Sequence, residues 1–231
     1  ALARSLAHGL RGLLLLLIPS GVGLAILGNE MIAVALQRGE FTLYATRFAA
    51  TVLVYYSIGL FSVGAFNFVQ RMFYACEDYR TPLFVAAVTV ALDIVLSLWL
   101  KETYLGVAGL ALANTIAFSV GLVVYVLRLP VAFPAEYRRE LFIAALHAGI
   151  ATGGAVLAVI GVRAVFVLSG IGVDWWHTGS TLHNLALLTV EAFFSLAALV
   201  GVYRCFDVYP AAIARGNVGV SSHHKGELRR K

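Results

Sequence analysis

Six stretches of this 231-residue chain are long and apolar enough to cross a bilayer as helices, and that constrains every other inference. A spanning helix needs about 20 mostly apolar residues, each rising ~1.5 Å. Leu10–Gly28, Ala45–Ala75, Pro82–Leu100, Tyr104–Leu127, Leu141–Leu168 and Thr181–Tyr203 meet that requirement. The first is expected to run on through Met31–Leu36, with a bend at Pro19. The second and fifth exceed the bilayer thickness and should tilt or protrude. Apolar residues make up 61% of the chain and charged residues 13%, with a mean hydropathy of +0.88. Soluble domains run near 45–50% and about 25%, so this surface could not be kept wet. A soluble enzyme, a disordered tail and a free nucleic-acid-binding domain are therefore excluded. The expected fold is all-α, a polytopic membrane bundle rather than a barrel. Residues 1–130 should form four spanning helices, 131–205 a further pair, and 206–231 a basic tail.

The charges divide by side. Of the 17 Lys and Arg residues, only Arg38, Arg47, Lys101 and Arg163 fall on one side of the expected topology. The remainder lie on the side that holds both ends, which is therefore expected to be cytoplasmic. Most of the net charge of +5 is a topology signal rather than a nucleic-acid footprint. Cys76 and Cys205 are too few and too far apart for a disulfide framework or a zinc site. The chain opens on Ala1-Leu2-Ala3-Arg4, with neither a methionine nor a cleavable signal, which reads as a carboxy-terminal piece of something longer.

Ionisable groups at the bilayer centre cost about 2.5–3.5 kcal/mol each and need a reason. Asp93 lies mid-way along the third stretch, with Thr89 and Ser97 on the same helical face. Reflection across a turn near Thr103 places it level with Ala113, Asn114 and Thr115. A carboxylate with several neutral oxygens suits a monovalent cation such as sodium, or a proton. The alternative is a hydrogen bond between Asp93 and Asn114 that only glues two helices. Glu191, mid-way along the last stretch, has His147 and Arg163 as nearest candidates. Neither is expected at its depth, so it faces either a cavity or another packed helix. Arg71 is placed either to hold a phosphate through its guanidinium fork or to snorkel to the headgroups. The small residues Ser20-Gly21-Val22-Gly23, Gly149 and Thr152-Gly153-Gly154 suggest close helix packing. Catalytic signatures are absent, which argues against an enzyme. His223-His224 sit in a polar tail suited to anionic lipid.

Three motifs go further. Arg38-Gly39-Glu40-Phe41, Phe73-Tyr74-Ala75-Cys76-Glu77-Asp78-Tyr79-Arg80-Thr81-Pro82 and Gly106-Val107-Ala108-Gly109-Leu110-Ala111-Leu112-Ala113-Asn114-Thr115 resemble turns and segments of the MurJ (MviN) family of lipid II flippases. They occur in that family's order across Leu10–Leu127; beyond Pro130 the likeness is one of hydropathy. The resemblance implies a fourteen-helix fold of the MOP superfamily, with this chain supplying helices nine to fourteen: most of the C-terminal lobe plus the last two helices. It implies a site in the bacterial cytoplasmic (inner) membrane, with lipid II or a similar polyprenyl-diphosphate-linked glycan as substrate. Leu141–Leu168 and Thr181–Tyr203 would then lie beside the substrate's polyprenyl tail. The partners would be the bilayer, the missing N-terminal lobe and cell-wall synthesis proteins, without nucleic acid. No cofactor is implied beyond Na+ or H+ coupling. Asp93 stands where the family often has asparagine, and Asn114-Thr115 where it has Thr-Ser. Cationic residues for the pyrophosphate lie largely in the missing part, so the piece alone should not transport. The competing expectations are a flippase for another polyprenyl-linked glycan and a non-transporting scaffold that docks cell-wall enzymes.

Overall fold

The computed structural model describes residues 2–37, 40–129, 135–170 and 181–206. Among them are seven helices: α1 (Leu2–Ile26), α2 (Gly28–Leu36), α3 (Leu43–Ala75), α4 (Arg80–Leu100), α5 (Val107–Leu127), α6 (Ala135–Leu168) and α7 (Thr181–Cys205). All except the short α2 are long and apolar enough to span a bilayer, which gives the six expected crossings. The basic tail, His223-His224 and most of the two longer connections lie outside the described residues.

Helix α1 does not end at Pro19. It continues to Ile26, and the interruption falls at Leu27, whose φ of −94° and ψ of 7° leave the helical region. Pro19 has no N–H to give the carbonyl of Leu15 four residues earlier. The Tyr203 hydroxyl of α7 donates to that carbonyl instead.

Helices α3 and α5 form the centre. Phe66, Phe73 and Tyr125 pack with ring centroids 4.9 and 5.2 Å apart, over Val69, Val85 and Leu6. The Thr115 hydroxyl donates to the Tyr55 carbonyl at 2.9 Å, and Ser119 to Ser62 at 2.9 Å. Glycine makes this proximity possible: a Cβ on Gly59 would lie 2.5 Å from Thr115 Oγ1. The small-residue expectation holds at Gly21, where a Cβ would lie 2.7 Å from the Ser57 carbonyl, and at Gly154, beside Val202. It fails at Gly23, Gly149 and Gly153, which have open space. Instead, α6 packs on both α1 and α7 and buries mainly alanines, Ala144, Ala148, Ala151 and Ala155, with Thr152, Val159 and Phe166.

Two contacts set the α4–α5 register. The space for a Cβ at Gly109 is closed by Leu100, and at Gly121 by Thr89. Interpolation places Asp93 level with Ile116 and Ala117, about 4 Å beyond Asn114. The expected pairing assumed a symmetrical turn. Leu100, the last residue of α4, instead sits against the third residue of α5.

The family-like Phe73–Pro82 segment is the turn between α3 and α4. Glu77 adopts the left-handed φ of 59° that stops α3. Asp78 Oδ1 then accepts from the Arg80 and Thr81 amides at 3.0 and 3.1 Å, covering donors at the start of α4. Pro82, in that first turn, loses no helical bond. Hydrogen bonding to the Thr81 side chain and then its amide, with a smaller contribution from Arg80, holds the Asp78 carboxyl below its ordinary 3.8.

Gly121→Ala should lower thermal stability in detergent by about 1–3 kcal/mol, because the new methyl meets Thr89 and Phe66, whereas Gly149→Ala should be neutral. Asp78 supports its turn at pH above 3.8, and that support fades as pH falls through its lower folded value. Amide exchange at Arg80 and Thr81 should therefore show an acid-dependent loss of protection that Asp78→Ala abolishes.

Candidate functional site

The deepest charges meet between α2, α6 and α7. Arg163 Nη2 of α6 donates to Glu30 Oε1 at 2.6 Å and to the Ile26 carbonyl at 3.3 Å. Its Nε reaches Glu191 Oε1 at 3.3 Å, and Nη2 reaches Oε2 at 3.5 Å. Glu191 is wholly buried and Glu30 is 3% exposed. This corrects the expectation that Arg163 lies too far outward to reach Glu191. Depth counted from helix ends fails because α6 is 34 residues long and overruns the bilayer. His147, the other candidate, packs against Phe206 at 5.1 Å. Glu30 was not singled out in the sequence, although a carboxylate between the first apolar stretch and the Met31–Leu36 run was the available signal.

Beside this cluster runs an apolar groove of about 560 Å³ between α1, α6 and α7. Leu16, Pro19, Gly23, Val156, Leu196 and Leu199 are among its walls. Two of its hydroxyls turn back onto their own helices, Ser20 to the Leu16 carbonyl and Thr152 to the Ala148 carbonyl, and that of Tyr203 is taken by the Leu15 carbonyl. The surface presented is therefore hydrocarbon-like.

The expected cluster around Asp93 is only partly assembled. Thr115 faces α3 through its bond to Tyr55, and no hydrogen bond among the described residues joins Asp93 to Asn114. Asp93 Oδ1 and Thr89 Oγ1, one helical turn apart, are both buried without a hydrogen-bond partner. Ser97 is half-buried on the same helix. Arg71 is exposed on α3, which contributes no wall to the groove, and its neighbour Gln70 bonds Tyr74 at 2.9 Å. Among the described residues, no cluster of three or more His, Cys, Asp or Glu could hold a metal ion.

A family model described as lipid II flippase MurJ matches residues 1–187. The chain belongs to the MurJ family. The match continues well past Pro130, beyond the part in which the motifs were legible. A probable lipid II flippase MurJ of Thermotoga maritima is 33% identical over 124 residues, covering 52% of this chain and 25% of the relative. One from Vibrio cholerae is 29% identical over 203 residues, covering 87% and 38%. A solved structure, lipid II flippase MurJ in an inward closed conformation, is 23% identical with a TM-score of 0.65. It covers 90% of this chain and 40% of that one, and the two share an all-helical fold over that part. The chain thus spans between a quarter and two-fifths of these MurJ relatives.

Arg163→Met alone should destabilise the protein by about 3–5 kcal/mol, since it strands two buried carboxylates. The neutral triple variant Glu30→Gln/Arg163→Met/Glu191→Gln should recover most of that loss in thermal unfolding. Equal losses in the two variants would show that packing of the Arg163 stem, not charge, matters.

Proposed function

We propose that this chain forms part of a flippase that moves lipid II across the bacterial cytoplasmic membrane by alternating access. The observation that carries the reading is the family match over residues 1–187. The groove between α1, α6 and α7 supports it, because a hydrocarbon-lined slot beside the bilayer suits a polyprenyl tail. In this reading the diphosphate headgroup is carried in the cavity between this bundle and the other lobe, with rocking of the lobes exposing it outside. Arg71 is assigned to the headgroup side, and Glu191 to the ion cluster beside the groove, not to the headgroup. Both ends of the chain face the cytoplasm, where the basic residues are concentrated. Further partners are the surrounding phospholipid and cell-wall synthesis proteins.

Asp93 is assigned to cation or proton coupling. The donor set fits a sodium ion or a proton: an orphaned carboxylate oxygen and an orphaned threonine oxygen on one face of α4, with Ser97 beyond. Asn114 would complete the set from α5, whereas Thr115 stays committed to α3.

The test is complementation in cells depleted of their own lipid II flippase. It uses the full-length protein and its Asp93→Ala variant, with membrane insertion of each verified. The parent should restore growth and the variant should not. Equal rescue would return Asp93 to a packing role. Failure by a well-inserted parent would point to another polyprenyl-linked glycan or to a scaffold.

A further inference from the structure

Helix α7 has an unusual attachment. It packs along α6 and touches α2, while the groove lies between it and α1. Across that groove it is held at the two ends. At one end the Tyr203 hydroxyl donates to the Leu15 carbonyl, with Tyr203 seated on Leu15 and Ala148. At the other, Glu191 meets Arg163, which also grips Ile26 of α1 and Glu30 of α2. On α1 the walls run from Gly12 to Ile26, a length of about 21 Å. Both ties are polar, and the span between them is apolar.

The two ties are unequal. Arg163 is close to Glu30 at 2.6 Å and far from Glu191 at 3.3 and 3.5 Å, near the limit for a hydrogen bond. Arg163 can therefore keep Glu30 while releasing α7. Tyr203 can likewise let go, at the cost of returning Leu15 to the unpartnered state that Pro19 creates. Between these ends the side facing away from α6 is exposed at Phe193, Phe194 and Leu196, so movement of α7 is resisted by its packing on α6 and by Leu187 and Leu188 on Ala33 and Phe166, not by α1.

We infer that α7 is a movable wall, latched to α1 through Tyr203 and to the α1–α2 break through Glu191 and Arg163. Release of the latches opens the groove sideways, admitting a long hydrocarbon chain from the bilayer without drawing it through the bundle. The hydrocarbon chain rests on the flippase reading above; the motion of the wall does not.

The test places spin labels at Leu16→Cys and Leu196→Cys, two exposed groove residues on α1 and α7, in the full-length protein in lipid nanodiscs. Cys76 and Cys205, both exposed, are first replaced by serine. A second pair, Val95→Cys and Val123→Cys on α4 and α5, serves as a fixed reference. Tyr203→Phe should raise the longer-distance population of the α1–α7 pair about five-fold, the effect of one lost hydrogen bond. Adding the neutral triple variant of the Arg163 cluster should raise it further, with the reference pair unchanged. An unchanged α1–α7 distance with both latches removed would overturn the inference. So would equal broadening of both pairs, which signals general loosening. The measurement needs no substrate, so a moving wall in a protein that fails to replace a lipid II flippase would sink only the substrate assignment.

Discussion

A carbonyl group inside hydrocarbon must find a donor within the protein, because no water is there to supply one. Helix α1 breaks this condition at its Pro19, and its last carbonyls need donors at the Leu27 interruption. Tyr203 answers at the Leu15 carbonyl and Arg163 at the Ile26 carbonyl. The donors come from α7 and α6, the two helices that follow the central hairpin. The way this last pair sits against α1 is thus tied to two local irregularities in the backbone of α1. The two irregularities also fix where polar ties cross beside the groove, about 16 Å apart along α1.

Within the bilayer, apolar surface alone does little to bring helices together, since lipid tails are as apolar as leucine. What distinguishes α1, α3, α4 and α5 is close approach at positions lacking a Cβ. Gly21 meets a backbone carbonyl of α3, Gly59 meets Thr115, and Gly109 and Gly121 meet α4. Each contact fixes height as well as separation, so the register of the central helices is defined at several points. Where glycine faces open space, as at Gly149 and Gly153, it contributes no such constraint, and alanines carry the packing of α6.

The six crossings were legible because length and hydropathy are local properties of sequence. The turn at Glu77–Pro82 was legible too, since its Asp, Thr and Pro each satisfy a requirement of a starting helix. Register was not. A symmetrical turn at Thr103 is a natural first assumption, yet the contacts of Gly109 with Leu100 and Gly121 with Thr89 displace Asp93 from Asn114 by about two-thirds of a helical turn. The ion cluster was missed for a related reason. Glu191 and Arg163 lie at different distances from their helix ends, and in a 34-residue helix such distances do not measure depth. Glu30 escaped notice because the break at Leu27, which turns it toward Arg163, has no strong local mark: no proline, and a glycine only at the following residue.

The different treatment of the buried Glu30 and Glu191 and the half-buried Asp93 then becomes intelligible. Glu191 and Glu30 share a guanidinium, so their charge is answered within the fold and their natural role is attachment. Asp93 has no such partner, and its enclosed oxygen lies one turn from an equally unpartnered threonine oxygen. A fold that leaves these two oxygens without donors must bear their desolvation unless a proton or cation joins them. Structural carboxylates can be made harmless by an arginine, as α6 demonstrates. The absence of that solution on α4 is what makes Asp93 the stronger candidate for a coupling group, and Glu191 the stronger candidate for a latch.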